Sequence, residues 1–354
     1  MKKIWIISFL IFFMVCPIKV GAEGDYKSQI DKIAKEEQID TTNILSIGVK
    51  EIFEYFKNQV EDKAAAPLTM FYRVSAIIIL CSVVKLFEGN VNGGISEIIN
   101  SLCVLTVFIN LLTPFRNLID MVSQSLINVK NFMATFLPVF GGISASSGEF
   151  LTSTIYTGFF LISLVFISNF CIVSILPTMN LYLAMTVTNS VSPGVRLKSL
   201  CDFYLKTVKL IMQGLVSIIC FILTVQTTIT QGQDNLTVKA GKVVVSRAVP
   251  IIGSALQDAI GSVYASMEAV KGFAGAVGIL SIASIFLPCV IALAIYWLCI
   301  NGMYIISDIL DNSVICGVLH GFIGIIELLL SIVFLFLVML LFSLTIMIKM
   351  TQGV

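Results

Sequence analysis

A chain of 354 residues with 12% charged side chains, a net charge of +1 and a single histidine falls far below the roughly 25% charge of soluble domains. Its hydrophobic share is 57%. Such a balance gives no basic surface for nucleic acid and describes a polypeptide solvated largely by lipid, hence a polytopic integral membrane protein of all-α class.

In chain order, Met1, Lys2 and Lys3 precede an apolar stretch over residues 4–15, and the small residues Val20, Gly21 and Ala22 precede Glu23. This is the layout of a secretory signal peptide, residues 1–22. An uncleaved anchor helix is the alternative, and both deliver the next residues outside the cytoplasm. Cys16 does not mark a lipoprotein site, because Met14 and Val15 before it are too bulky. An exported region then spans 23–67; up to Ala66 it holds ten Asp and Glu against six Lys. Tyr26, Ile30 and Ile33 share a face of one short helix, and Leu45, Val49, Ile52, Phe53, Phe56 and Val60 a face of a second. The acidic excess argues against binding anionic lipid. The pair either caps the membrane domain or docks on a partner.

The membrane domain, 68–354, is expected to hold about seven transmembrane helices. They are read at 70–87, 95–113, two within 150–189 broken at Pro177, 207–228, 277–300 and 322–348. Each approaches the 20 apolar residues a spanning helix needs. Arg73 and Lys85 stand near the ends of the first span, where long cationic side chains snorkel. Residues 196–209 carry four basic residues and one Asp, which the positive-inside rule places in the cytoplasm. That orientation requires one further crossing. Residues 118–140 are the candidate, although Asp120, Ser123, Gln124, Ser125, Asn128 and Lys130 demand that such a helix face protein or water. A re-entrant path is the other reading.

Two segments repeat a pattern. Pro138 precedes Gly141 and Gly142 by two apolar residues, and Pro250 precedes Gly253 and Ser254 in the same way. Pro and Gly at this spacing predict broken or re-entrant elements. Corresponding broken elements in two halves of a membrane protein point to a pathway or binding site; small residues for tight helix packing are the plainer explanation. The expected pore or packing residues are Pro138, Gly141, Gly142, Ser144, Ser147, Gly148, Pro250, Gly253 and Ser254, with Asp120 and Lys130 from the polar helix.

Chemistry is sparse. The nine cysteines show no C-x-x-C spacing and read as buried apolar thiols. No metal, cofactor or catalytic residue is expected. His320 with Ser147 or Ser254 could serve an intramembrane hydrolase, but no G-x-S-x-G elbow accompanies them. A phosphate-binding loop is absent. Glu97 and Glu327 lie near span ends, where interfacial water would solvate them. The basic helix ending at Lys209 places Arg196, Lys198, Lys206 and Lys209 around an apolar face; it either lies on anionic lipid or docks a cytoplasmic partner.

The run from Leu137 and Pro138 through Val139, Phe140, Gly141, Gly142, Ile143, Ser144, Ala145, Ser146 and Ser147 to Gly148 resembles the stage III sporulation protein AE family. The second Pro–Gly segment, residues 175–187 and the order of spans share that resemblance, which covers about 70–354. It implies a protein of endospore-forming bacteria, made in the mother cell and seated in the membrane around the forespore. Such proteins are expected to form a secretion-like channel complex needed for forespore development. Their implied partners are membrane lipid, the other stage III sporulation A-operon proteins including the ATPase and, indirectly, the forespore stage II sporulation protein Q. The function expected here is therefore a non-enzymatic channel subunit. A secondary transporter with its site at the two Pro-x-x-Gly elements is the alternative.

Overall fold

The computed structural model describes residues 41–87, 93–146, 150–191, 197–230 and 253–349. Among them every element is helical: α1 (Thr41–Phe87), α2 (Gly93–Ser146), α3 (Phe150–Phe170), a π-helical turn (Cys171–Ile175), α4 (Leu176–Val191), α5 (Lys198–Thr230), α6 (Gly253–Ile309) and α7 (Ser313–Lys349). The chain divides into two compact units, Met1–Gln59 and Val60–Val354. Of the first, residues 41–59 are described; they are helical, as the spacing of Leu45, Val49, Ile52 and Phe56 predicts. The expected signal peptide and the face formed by Tyr26, Ile30 and Ile33 lie outside the described residues.

In the second unit, apolar residues occur at helical spacing, but what they face differs between helices. On α3, Tyr156, Phe160, Leu164 and Ile167 are buried, while Ile155, Phe159, Ile162 and Phe166 form an exposed stripe. Both faces are apolar because one meets protein and the other lipid. Helix α7 is different. In its most apolar window 61% of residues are buried, against 22–39% in the other candidate spans. It packs against α2, α4, α5 and α6, which explains why its sequence is apolar all round.

Five helices among the described residues are long and apolar enough to cross a membrane: Lys63–Lys85, Ile98–Ala145, Ser153–Val191, Gly272–Ile309 and Ser313–Ile348. Two of the seven expected spans account for the difference: the pair expected within 150–189 forms the single stretch Ser153–Val191, and 207–228, which lies in α5, is not among these five. The further crossing expected at 118–140 is not a separate one either. Residues 95–113 and 118–140 belong to one helix, α2, which continues through Pro114 and Pro138 to Ser146. The broken element expected at Pro138, Gly141 and Gly142 is therefore continuous helix. Each proline removes a single backbone donor, which costs the helix one hydrogen bond without ending it. Helix α1 likewise passes through Pro67, where the exported region was expected to give way to the membrane domain. At Pro177 the helical path persists because the π-turn precedes it. There Leu176 N–H donates to Cys171 O, so one extra residue is accommodated just before the ring that would clash with the preceding turn.

Helices α6 and α7 form an antiparallel hairpin closed by three residues. Asp311 N–H donates to Asp308 O at 3.1 Å and Asn312 N–H to Ser307 O at 3.0 Å. This pair of bonds is a Schellman cap, which needs a left-handed residue between them. Asp311 supplies it with φ 53°, the one positive φ outside glycine among the described residues; Asp tolerates that region better than bulkier residues. The end of α1 is tied to this turn by Lys85 Nζ donating to Asp311 O at 2.8 Å and by Asn312 Nδ2 donating to Ser82 Oγ at 3.4 Å.

Candidate functional site

The exposed face of α2 changes chemistry partway along one helix. From Ile98 through Leu102 and Leu105 to Ile109 it is apolar and suits lipid. From Thr113 it continues through Arg116, Asn117, Asp120, Gln124, Asn128, Asn131 and Thr135, on the side turned away from the bundle core. These positions fall on one side of a helix with 3.6 residues per turn and extend about 33 Å. The opposite side is buried against the bundle through Leu118, Val122, Leu126, Val129, Met133 and Leu137. Acyl chains offer such a stripe no hydrogen bonds, so water or protein must face it. Gln124 Nε2 donates to Asn128 Oδ1 at 2.9 Å within the stripe, which holds the two amides in fixed orientation.

Other expected site residues divide between packing and surface. Gly141 is buried, and its carbonyl accepts a hydrogen bond from Ser153 Oγ of α3 at 2.7 Å. A Cβ there would come within 2.8 Å of Thr157 Oγ1, so the absent side chain sets the α2–α3 distance. Ser144, one turn on, is 1% exposed, and its hydroxyl has no protein partner among the described residues. Pro138 and Gly142 face outward. Lys130 is half-buried and donates to Asn169 Oδ1 of α3 at 3.2 Å, whereas Asp120 is exposed. Gly253 and Ser254 open α6. Ser147, Gly148, Pro250 and Arg196 lie outside the described residues.

The basic segment is one end of α5, packed on α4 and α7. Lys198 and Lys206 are exposed. Lys209 instead pairs with Glu327 of α7, Nζ to Oε2 at 3.6 Å. Glu327 thus has a cationic partner on a neighbouring helix, beyond the solvation expected from its position. One turn along, Tyr204 stacks on Tyr182 of α4 with ring centroids 5.2 Å apart, and its hydroxyl lies 2.8 Å from Thr178 Oγ1. Beside this cluster, Gly317, Gly321 and Gly324 of α7 face α4 and α5; a Cβ on Gly321 would overlap Thr186 Cγ2. Sequence reasoning missed this contact, although the Gly-x-x-x-Gly spacing of 317 and 321 was available as its signal. His320 is exposed, its ring 6.4 Å from that of Tyr304.

The family model described as stage III sporulation protein AE matches residues 28–351. No curated protein and no solved structure matches significantly. Matched over nearly its whole length and built of membrane-length helices, this chain belongs to the stage III sporulation protein AE family and is a sporulation-related membrane protein.

Proposed function

We propose that the chain is a non-enzymatic integral subunit of a secretion-like channel complex in the mother-cell membrane around the forespore, needed for forespore development. The observation that supports this reading is the polar stripe of α2, whose exposed Arg, Asp, Asn and Gln side chains need water or another protein as cover and offer a neighbouring subunit a hydrogen-bonding face. A conduit assembled from several subunits provides that cover. Family membership supports the sporulation setting. The proposed partners are the other stage III sporulation A-operon proteins, with the ATPase docking near the exposed Lys198 and Lys206, and indirectly the stage II sporulation protein Q.

Deletion of the gene in a spore-former, followed by imaging of forespore volume, tests the role. Collapsed forespores are expected, and normal spores would overturn it. The alternative, a secondary transporter, loses support because its first broken element is continuous helix. Substrate-driven uptake by this chain alone in proteoliposomes would restore it.

A further inference from the structure

A crevice of about 640 Å³ opens between α1 and α2. Its walls include Thr69, Arg73 and Val74 from α1, and Ile109, Asn110 and Thr113 from α2, with no Asp or Glu among the lining residues. Arg73 makes no ion pair or hydrogen bond with the described residues. Arg73 is exposed, so its guanidinium is open to an anion and offers it paired, charge-assisted donors. On the opposite wall Pro114 has no N–H, so the Asn110 carbonyl loses its helical donor and is left to accept from elsewhere.

The position of the crevice along the bundle narrows the choice of anion. Ala65, at one end, precedes Lys85 by 20 residues of continuous helix, about 30 Å, which matches the hydrocarbon thickness. With Lys85 and the Asp308–Asn312 turn at one headgroup level, the crevice stands at the other, within snorkelling reach of Arg73. Below it run Ile79 and Leu80 of α1 and Leu102 and Leu105 of α2, all exposed and suited to acyl chains. On α2, Arg116 lies one turn beyond Thr113, on the same face and exposed.

We propose that this crevice is a binding site for the headgroup of an anionic phospholipid. Arg73 grips the phosphate through paired N–H donors, and the Asn110 carbonyl accepts a headgroup hydroxyl. Arg116 adds positive charge at the rim. Occupancy by such a lipid supplies Arg73 with a counter-ion while its chains continue the apolar surface.

The test is lipid retention by the full-length protein in detergent, followed by native mass spectrometry. Phosphatidylglycerol and phosphatidylcholine are titrated separately. The wild type is expected to retain phosphatidylglycerol about tenfold better, the equivalent of one charge-assisted contact. Arg73→Gln should abolish that preference and Arg73→Lys should keep part of it. Ala66→Trp, which fills the crevice and leaves the charge in place, should weaken phosphatidylglycerol retention if Arg73→Gln does not fold. Equal retention of the two lipids by the wild type, or an unchanged preference in Arg73→Gln or Ala66→Trp, overturns the proposal. Displacement of phosphatidylglycerol by millimolar inorganic phosphate would assign the site to free phosphate and also overturn it. A positive result stands even if the channel reading fails, because retention is measured without assembly.

Discussion

Helices α7 and α2 solve opposite problems. The first is enclosed on most sides, and its apolar residues from Phe322 to Met347 largely meet other helices. The second buries one face and presents a polar stripe on the other. Because lipid is as apolar as leucine, burial alone gives α7 no advantage over exposure. Its place must come from shape, through Gly321 against Thr186, and from polar links such as Tyr156 Oη donating to Ser343 O at 3.1 Å. The interior of this bundle is thus specified by fit, whereas the exposed face of α2 is specified by the surroundings of the chain.

The most severe test of that contrast is Gly321→Leu. Its side chain would force α4 away from α7, with an expected cost of about 3 kcal/mol, read as loss of folded protein in detergent thermal unfolding. Gly142→Leu on the outward face of α2, with nothing within 4 Å of its Cβ, is the matched control and should unfold like the parent.

Glu327→Leu comes next. It leaves Lys209 unpaired, at an expected cost of about 1–2 kcal/mol, softened because Lys209 is half exposed. Adding Lys209→Met should recover part of the loss, and strict additivity in the double-mutant cycle would show that the pair does not couple. Tyr156→Phe removes the bond to Ser343 and should cost about 0.6 kcal/mol by the same measurement.

The smallest change in stability is expected for Asp120→Leu combined with Gln124→Leu, within about 0.5 kcal/mol. Spore counts should nonetheless fall sharply at unchanged protein level. Normal sporulation by that variant would detach the stripe from function and leave the packing account untouched.

Much of the architecture was legible in composition and periodicity. The apolar blocks at 277–300 and 322–348 lie in membrane-length helices, and the polar residues of 118–140 do share one helix. Continuity was not legible. Pro114, Pro138 and Pro177 each look like a stop to a reader of local propensity, yet α2 passes two of them and a π-turn accommodates the third. Each proline costs its helix one hydrogen bond without ending it, and single-chain spacing does not carry that. Nor could spacing join Lys209 to Glu327, which are distant in sequence and meet only because α5 and α7 pack. Gly317 and Gly321 carried a readable packing signal, and attention to the Pro–Gly segments obscured it.

The five-residue turn at Cys171–Ile175 has a wider consequence. Each residue advances an α-helix by about 100°, so an inserted residue works as a phase offset between the two halves of one rod. Ahead of it, α3 shows Tyr156 to Ser343; after it, α4 shows Thr186 to Gly321 and Tyr182 to Tyr204. Shortening the turn by one residue would restore regular winding and swing every α4 partner a quarter-revolution out of alignment. A single-residue deletion at this point would therefore be felt along the whole of α4, while its composition stayed the same.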